Sequence, residues 1–223
     1  MLGILIAFWV SAWWEGVNLA RWEETQLEAL RYEFDQNFQL LELTGQQHWR
    51  KAAAIENVLD FADSNEIGSS REFPIAELAA IIAWRTSDIA TGALDALLAS
   101  GDLGNIQNDE LRRVLAQWPT AIEDAKEDEN LAKEFIEFEL SPRLAEQGFL
   151  VQAYEQRLAS LDAALNEIPQ LPDGKMATVV VSSNLAGLLA ARLAQQKLAA
   201  ISIGNLQRGT AAIIEMLDRE LAN

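Results

Sequence analysis

The sequence predicts an all-α protein, with an N-terminal transmembrane helix that continues into a long helix of a helical bundle. Three observations carry this. The opening run MLGILIAFWVSAWW, Met1 to Trp14, holds no charge before Glu15. Beyond it, apolar residues recur at helical spacing for long stretches. Turn-forming residues gather in a few short connections, chiefly Ser64–Ser70 and Ile168–Lys175. Residues 1–20 are therefore read as a membrane anchor, with an incomplete span, and residues 21–223 as an acidic α-helical bundle domain.

The anchor is short. Leu2 to Trp14 makes about 20 Å of helix at ~1.5 Å per residue, against a hydrocarbon core of ~30 Å. Extending it through Val17 and Leu19 would sink Glu15 into lipid, which is costly. No basic residue precedes the apolar run and no small-x-small site follows it, so a secretory signal fits poorly. Three readings stay open. The native chain has further apolar residues upstream, or a short anchor packs against other membrane subunits, or the run is a buried core helix. The boundary at Trp13-Trp14-Glu15 favours the membrane, because an indole ring is apolar while its N–H seeks a polar partner at the lipid–water interface.

After Glu15 the stripe Leu19, Trp22, Leu27, Leu30, Phe34, Phe38 and Leu41 continues through His48, Ala52, Ile55, Leu59 and Ala62. It predicts one helix of about sixty residues with its weak point at Gly45. Pro74 suits the first turn of a helix over Ile75–Trp84. Thr86 or Ser87 then caps a helix that Gly101 ends, and Asn108 caps the next. Pro119 is expected to bend or break that helix. Glu123–Glu139 follows as an acidic helix with Leu131, Phe135 and Phe138 on its apolar face. Pro142 restarts a helix reaching Glu167, with an interruption at Gly148. Met176–Val181 is β-branched, read as the lead-in to a last helix capped at Ser182 or Ser183 in preference to a strand. That helix runs to about Leu221, and its glycines Gly187, Gly204 and Gly209 imply close packing against a neighbour.

Composition narrows the chemistry. With 17 basic and 34 acidic residues, the net charge of −17 disfavours nucleic acid and anionic lipid headgroups. The absence of cysteine removes disulfides, thiolate chemistry and cysteine metal cages. One histidine, His48, leaves no Glu-x-x-His pair for a di-iron bundle. The acids Glu123, Asp124, Glu127, Asp128 and Glu129 have helical rather than calcium-loop spacing, and read as a solvated face. No phosphate loop, dinucleotide fingerprint or nucleophile elbow occurs. No catalytic residue, cofactor or metal site is therefore expected. Phe8, Trp9, Trp13 and Trp14 stand out as a membrane or partner interface, and Tyr32, His48, Trp49 and Arg85 as a candidate ligand pocket. For His48 the simpler reading is a core histidine with one hydrogen-bond partner.

The stretch Leu2–Glu15 (LGILIAFWVSAWWE), followed by a long acidic helix, resembles a family of bacterial single-span membrane proteins of unknown function. Ala93–Trp118 (ALDALLASGDLGNIQNDELRRVLAQW) is similar to that family's Leu-Leu-x-Ser-Gly region, and SSNLAGLLAARL from Ser182 is compatible with it. These motifs are caps and core positions and carry no chemistry. The resemblance implies an inner-membrane, single-pass anchor with an extracytoplasmic, periplasmic helical body. The chain lacks the family's basic cytoplasmic lead, which leaves orientation unassigned by charge. The reading that follows is a non-enzymatic accessory or structural subunit. Its partners would be other membrane protein subunits, the lipid bilayer through residues 2–14, and a second copy of the chain as a further option. The alternative is an extracytoplasmic sensor or small-ligand-binding bundle.

Overall fold

A computed structural model of the chain describes residues 2–64, 68–84, 86–165 and 175–222. The elements run α1 (Leu2–Ser64), β1 (Ser70–Pro74), α2 (Ile75–Ile81), α3 (Gly92–Ser100), a 3-10 turn (Asp102–Asn105), α4 (Asp109–Phe135), a π-helical turn (Ile136–Leu140), α5 (Ser141–Ala145), α6 (Leu150–Leu165), β2 (Met176–Val180) and α7 (Ser183–Leu221). The described chain is mostly helical. The 63-residue α1 matches the single long helix expected from the apolar stripe.

The three long helices share one pattern of burial. From Glu23 to His48 the buried positions of α1 are Glu23, Leu27, Leu30, Phe34, Asn37, Leu41, Thr44 and His48. In α4 they are Leu111, Leu115, Trp118, Ile122, Ala125, Glu129 and Ala132, and in α7 Leu185, Leu189, Arg192, Gln196, Ala199, Ile203, Leu206, Thr210, Ile213 and Leu217, with Ala200 buried beside this row. Steps of four and three alternate along each, the seam spacing of coiled-coil packing. In α4 the series continues to Ile136. The π turn then adds one residue, and Leu140 and Leu144 are buried at successive steps of four.

By its contacts the chain divides into two compact units, Met1–Glu42 with Asp88–Glu123 and Asn205–Asn223, and Leu43–Ser87 with Asp124–Gly204. In the first, Phe34 and Trp118 stack with ring centroids 5.5 Å apart. Gly209 makes room for them, since a Cβ there would lie 2.8 Å from Trp118 Cζ3. Polar side chains of α1 hold other segments of this unit. The Asn37 amide donates to Ala90 O at 2.7 Å and accepts from Ala90 N–H at 2.9 Å. The Glu33 carboxylate accepts from the N–H groups of Ala93 and Leu94, and so caps α3 from outside the chain segment that forms it. Arg31 pairs with Asp218 at 2.6 Å.

The second unit buries a cluster that includes Ile55 and Val58 of α1, Leu78 and Ile81 of α2, Phe149, Val179 and Leu189. Strands β1 and β2 pair antiparallel from Ser70↔Val180 to Pro74↔Met176. Their inward residues Phe73 and Val179 join the cluster. The Ser182 hydroxyl accepts from Leu185 N–H and caps α7 as expected.

Several expectations change. Met176–Val180 is a strand, not a helical lead-in, and its partner β1 was not foreseen. The β-branched run Thr178-Val179-Val180 finds a ladder, which supplies the backbone bonds a lone strand lacks. α4 continues through Pro119. Trp118 and Ile122, buried on either side of it, hold the helix against a defect worth ~3 kcal/mol. α3 begins at Gly92, so neither Thr86 nor Ser87 caps it. Leu131 and Phe138 are exposed, because the seam of α4 runs instead through Ala125, Glu129, Ala132 and Ile136. Among the described residues no helix is long and apolar enough to cross a membrane.

Gly209→Ala is expected to destabilise the protein by about 1–3 kcal/mol, since its methyl group meets the Trp118 ring. Gly187→Ala, in open space on α7, should stabilise by about 0.5–1 kcal/mol. Urea unfolding of the two variants beside the parent chain measures both.

Candidate functional site

Two features stand apart from ordinary packing. The first is the start of α1. Every residue from Trp9 to Gly16 is exposed, with Trp9 at 71%, Trp13 at 57% and Trp14 at 54%. The Trp13 and Trp14 rings lie 6.5 Å apart. Among the described residues nothing covers the segment, and its exposure is not that of a buried core helix. Of the four interface residues expected from sequence, the side chain of Phe8 lies outside the described residues.

The second feature is a chain of buried polar side chains in the second unit. Arg192 on α7 is 1% exposed and Glu129 on α4 is 2% exposed. Arg192 Nη2 donates to Gln196 Oε1. Because a guanidinium can only donate, the Gln196 amide must turn its oxygen toward Arg192 and its NH2 toward His48. Gln196 Nε2 accordingly reaches His48 Nδ1 at 2.5 Å and His48 O at 3.2 Å. Nδ1 is thereby the acceptor, and the ring proton sits on Nε2, 3.2 Å from Glu129 Oε1. The other carboxylate oxygen takes the Ser87 N–H at 2.8 Å and its hydroxyl at 2.9 Å. Donor follows acceptor without a break from Arg192 to Glu129.

This arrangement ties α1, α4, α7 and the connection after α2 to one another. The Ser87 hydroxyl donates to the Glu129 carboxylate and not to the imidazole, so the serine–histidine–acid order of a catalytic triad is not formed here. Burial pushes the Arg192 guanidinium down from its usual range to about 10, still protonated at neutral pH. Its Nε and Nη2 also donate to Ile81 O and Ala83 O, each at 3.4 Å, while Nη1 is buried with no hydrogen-bond partner. Among the described residues no group of three or more His, Cys, Asp or Glu is arranged to hold a metal ion.

The residues nominated for a ligand pocket fall in different surroundings. His48 is buried, with both ring nitrogens engaged. Trp49 beside it is exposed. Tyr32 belongs to the first unit and is exposed. Arg85 lies outside the described residues. Glu129, read from sequence as part of a solvated acidic face, is the most enclosed carboxylate of that run. Arg192 and Gln196 were missed altogether, and the four-three spacing from Leu185 and Leu189 is the signal that places them inside.

Glu129→Leu should cost about 3–5 kcal/mol, because it leaves the Ser87 donors and the His48 N–H buried without an acceptor. A double-mutant cycle with His48→Leu, followed by chemical denaturation, should return a coupling of about 1–3 kcal/mol.

No family model, no curated protein and no solved structure matches the chain.

Proposed function

We propose that this protein is a non-enzymatic accessory subunit of a membrane protein complex, held there by the start of α1. The observation that carries the reading is the run Trp9–Gly16, helical, rich in tryptophan and exposed on all sides. A helix that is apolar all round is stable only when something apolar surrounds it. The net charge of −17 argues that attachment is by insertion and not by attraction to anionic headgroups. The resemblance to single-span proteins points the same way, and with it the helical body lies on the extracytoplasmic side. The buried polar chain from Arg192 to Glu129 ties segments of the second unit together, which supports a structural body.

Mild detergent extraction followed by mass spectrometry of co-migrating chains tests the proposal. A stoichiometric set of membrane subunits is expected, and a variant with Trp9, Trp13 and Trp14 changed to Ser should lose them while keeping its helical circular dichroism. A protein that extracts alone, or a triple variant that keeps its partners, would sink the reading.

A further inference from the structure

We propose that Trp84, Lys133 and Arg157 form a binding site for a small oxyanion of the phosphate class. All three belong to the second unit and are half-buried, so each is within reach of solvent. Lys133 Nζ lies 4.3 Å from the centroid of the Trp84 ring and Arg157 Cζ 5.1 Å from it. Arg157 Nη2 also donates to Trp84 O at 3.4 Å. Two cations therefore converge on one indole.

The convergence is unusual for this chain. Acidic residues outnumber basic ones two to one, 34 to 17. Lys133 has Glu129 four residues before it and Glu137 four after, the ordinary partners for a helical lysine. It pairs with neither, nor does Arg157 pair with any carboxylate among the described residues. Cation–π contact is worth ~0.5–1 kcal/mol at such a site, and does not neutralise charge. A third cation stands close along the chain. The Arg192 guanidinium holds the carbonyls of Ile81 and Ala83, the residues that lead into Trp84, and its buried Nη1 has no acceptor. Lys133 and Arg157 thus meet Trp84 with its carbonyl oxygen and its aromatic face as their only partners among the described residues.

An oxyanion supplies what is missing. It brings negative charge and several acceptors to donors that have few. The lysine ammonium offers a point charge, and the arginine offers a planar fork that suits two oxygens of one phosphate group. Half-burial against the indole weakens solvent screening, so the pair attracts the anion more strongly than two free surface cations would. The group recognised is the phosphate, whether free or carried by a lipid headgroup.

Isothermal titration of the full-length chain with inorganic phosphate, against chloride at matched ionic strength, decides the matter. Saturable binding is expected, weakened about tenfold or more by Lys133→Met and by Arg157→Met. Lys126→Met, an exposed lysine on the same helix, should leave it unchanged. Vesicles carrying phosphatidic acid separate the two sources, since competition marks a headgroup and indifference marks the free ion. Either outcome upholds the site. Absence of saturable heat with the parent chain overturns it even if a variant fails to fold, and so does an equal loss in Lys126→Met.

Discussion

The carboxylate of Glu129 is the constraint around which the second unit is arranged. A charge removed from water to this degree must be met by donors of fixed geometry. Those donors come from separate parts of the chain, the imidazole from α1 and the backbone and hydroxyl of Ser87 from the connection after α2. The imidazole is oriented by Gln196, and Gln196 by Arg192. One side chain thus sets the mutual register of segments that apolar packing alone would let slide by a turn. Leucines at seam positions are interchangeable with other leucines, whereas a glutamate has few acceptable neighbours.

The first unit meets the same need with neutral and backbone partners. Asn37 satisfies both polar groups of Ala90, and Glu33 ends on the free N–H groups at the start of α3. In both units a polar residue on α1 holds a stretch that is not itself helical, or a helix at its exposed end. The long helix acts as the template on which the connections between shorter elements are laid.

The long helices were legible because their period repeats over many turns, and repetition makes the signal robust to a few exceptions such as Leu19 and Phe38. Caps with a side-chain mechanism, Asn108 and Ser182, were legible for a local reason, since the acceptor sits three residues from its donor. What failed was whatever depended on a distant partner. The strand at Met176–Val180 exists because Ser70–Pro74 pairs with it, and nothing within either segment announces the other. The capping of α3 by Glu33 spans sixty residues and is invisible locally. Polar residues in the seam are hard to read because charge ordinarily marks exposure. Glu129 and Arg192 show the reverse, and only their phase in the repeat reveals it.

The π-helical turn Ile136–Leu140 bears on how this chain tolerates changes of length. Had α-helical geometry continued past Ile136, the next seam places would have gone to Glu139 and Arg143, two charges, in place of Leu140 and Leu144. The widened turn absorbs one surplus residue, turns Phe138 outward, and returns the helix to its packing with the leucines in step. An extra residue elsewhere in a seam would rotate everything downstream by about 100°. Here the error is confined to a single turn. The segment is a splice point, which lets the helix before it and the elements after it each keep its own packing phase.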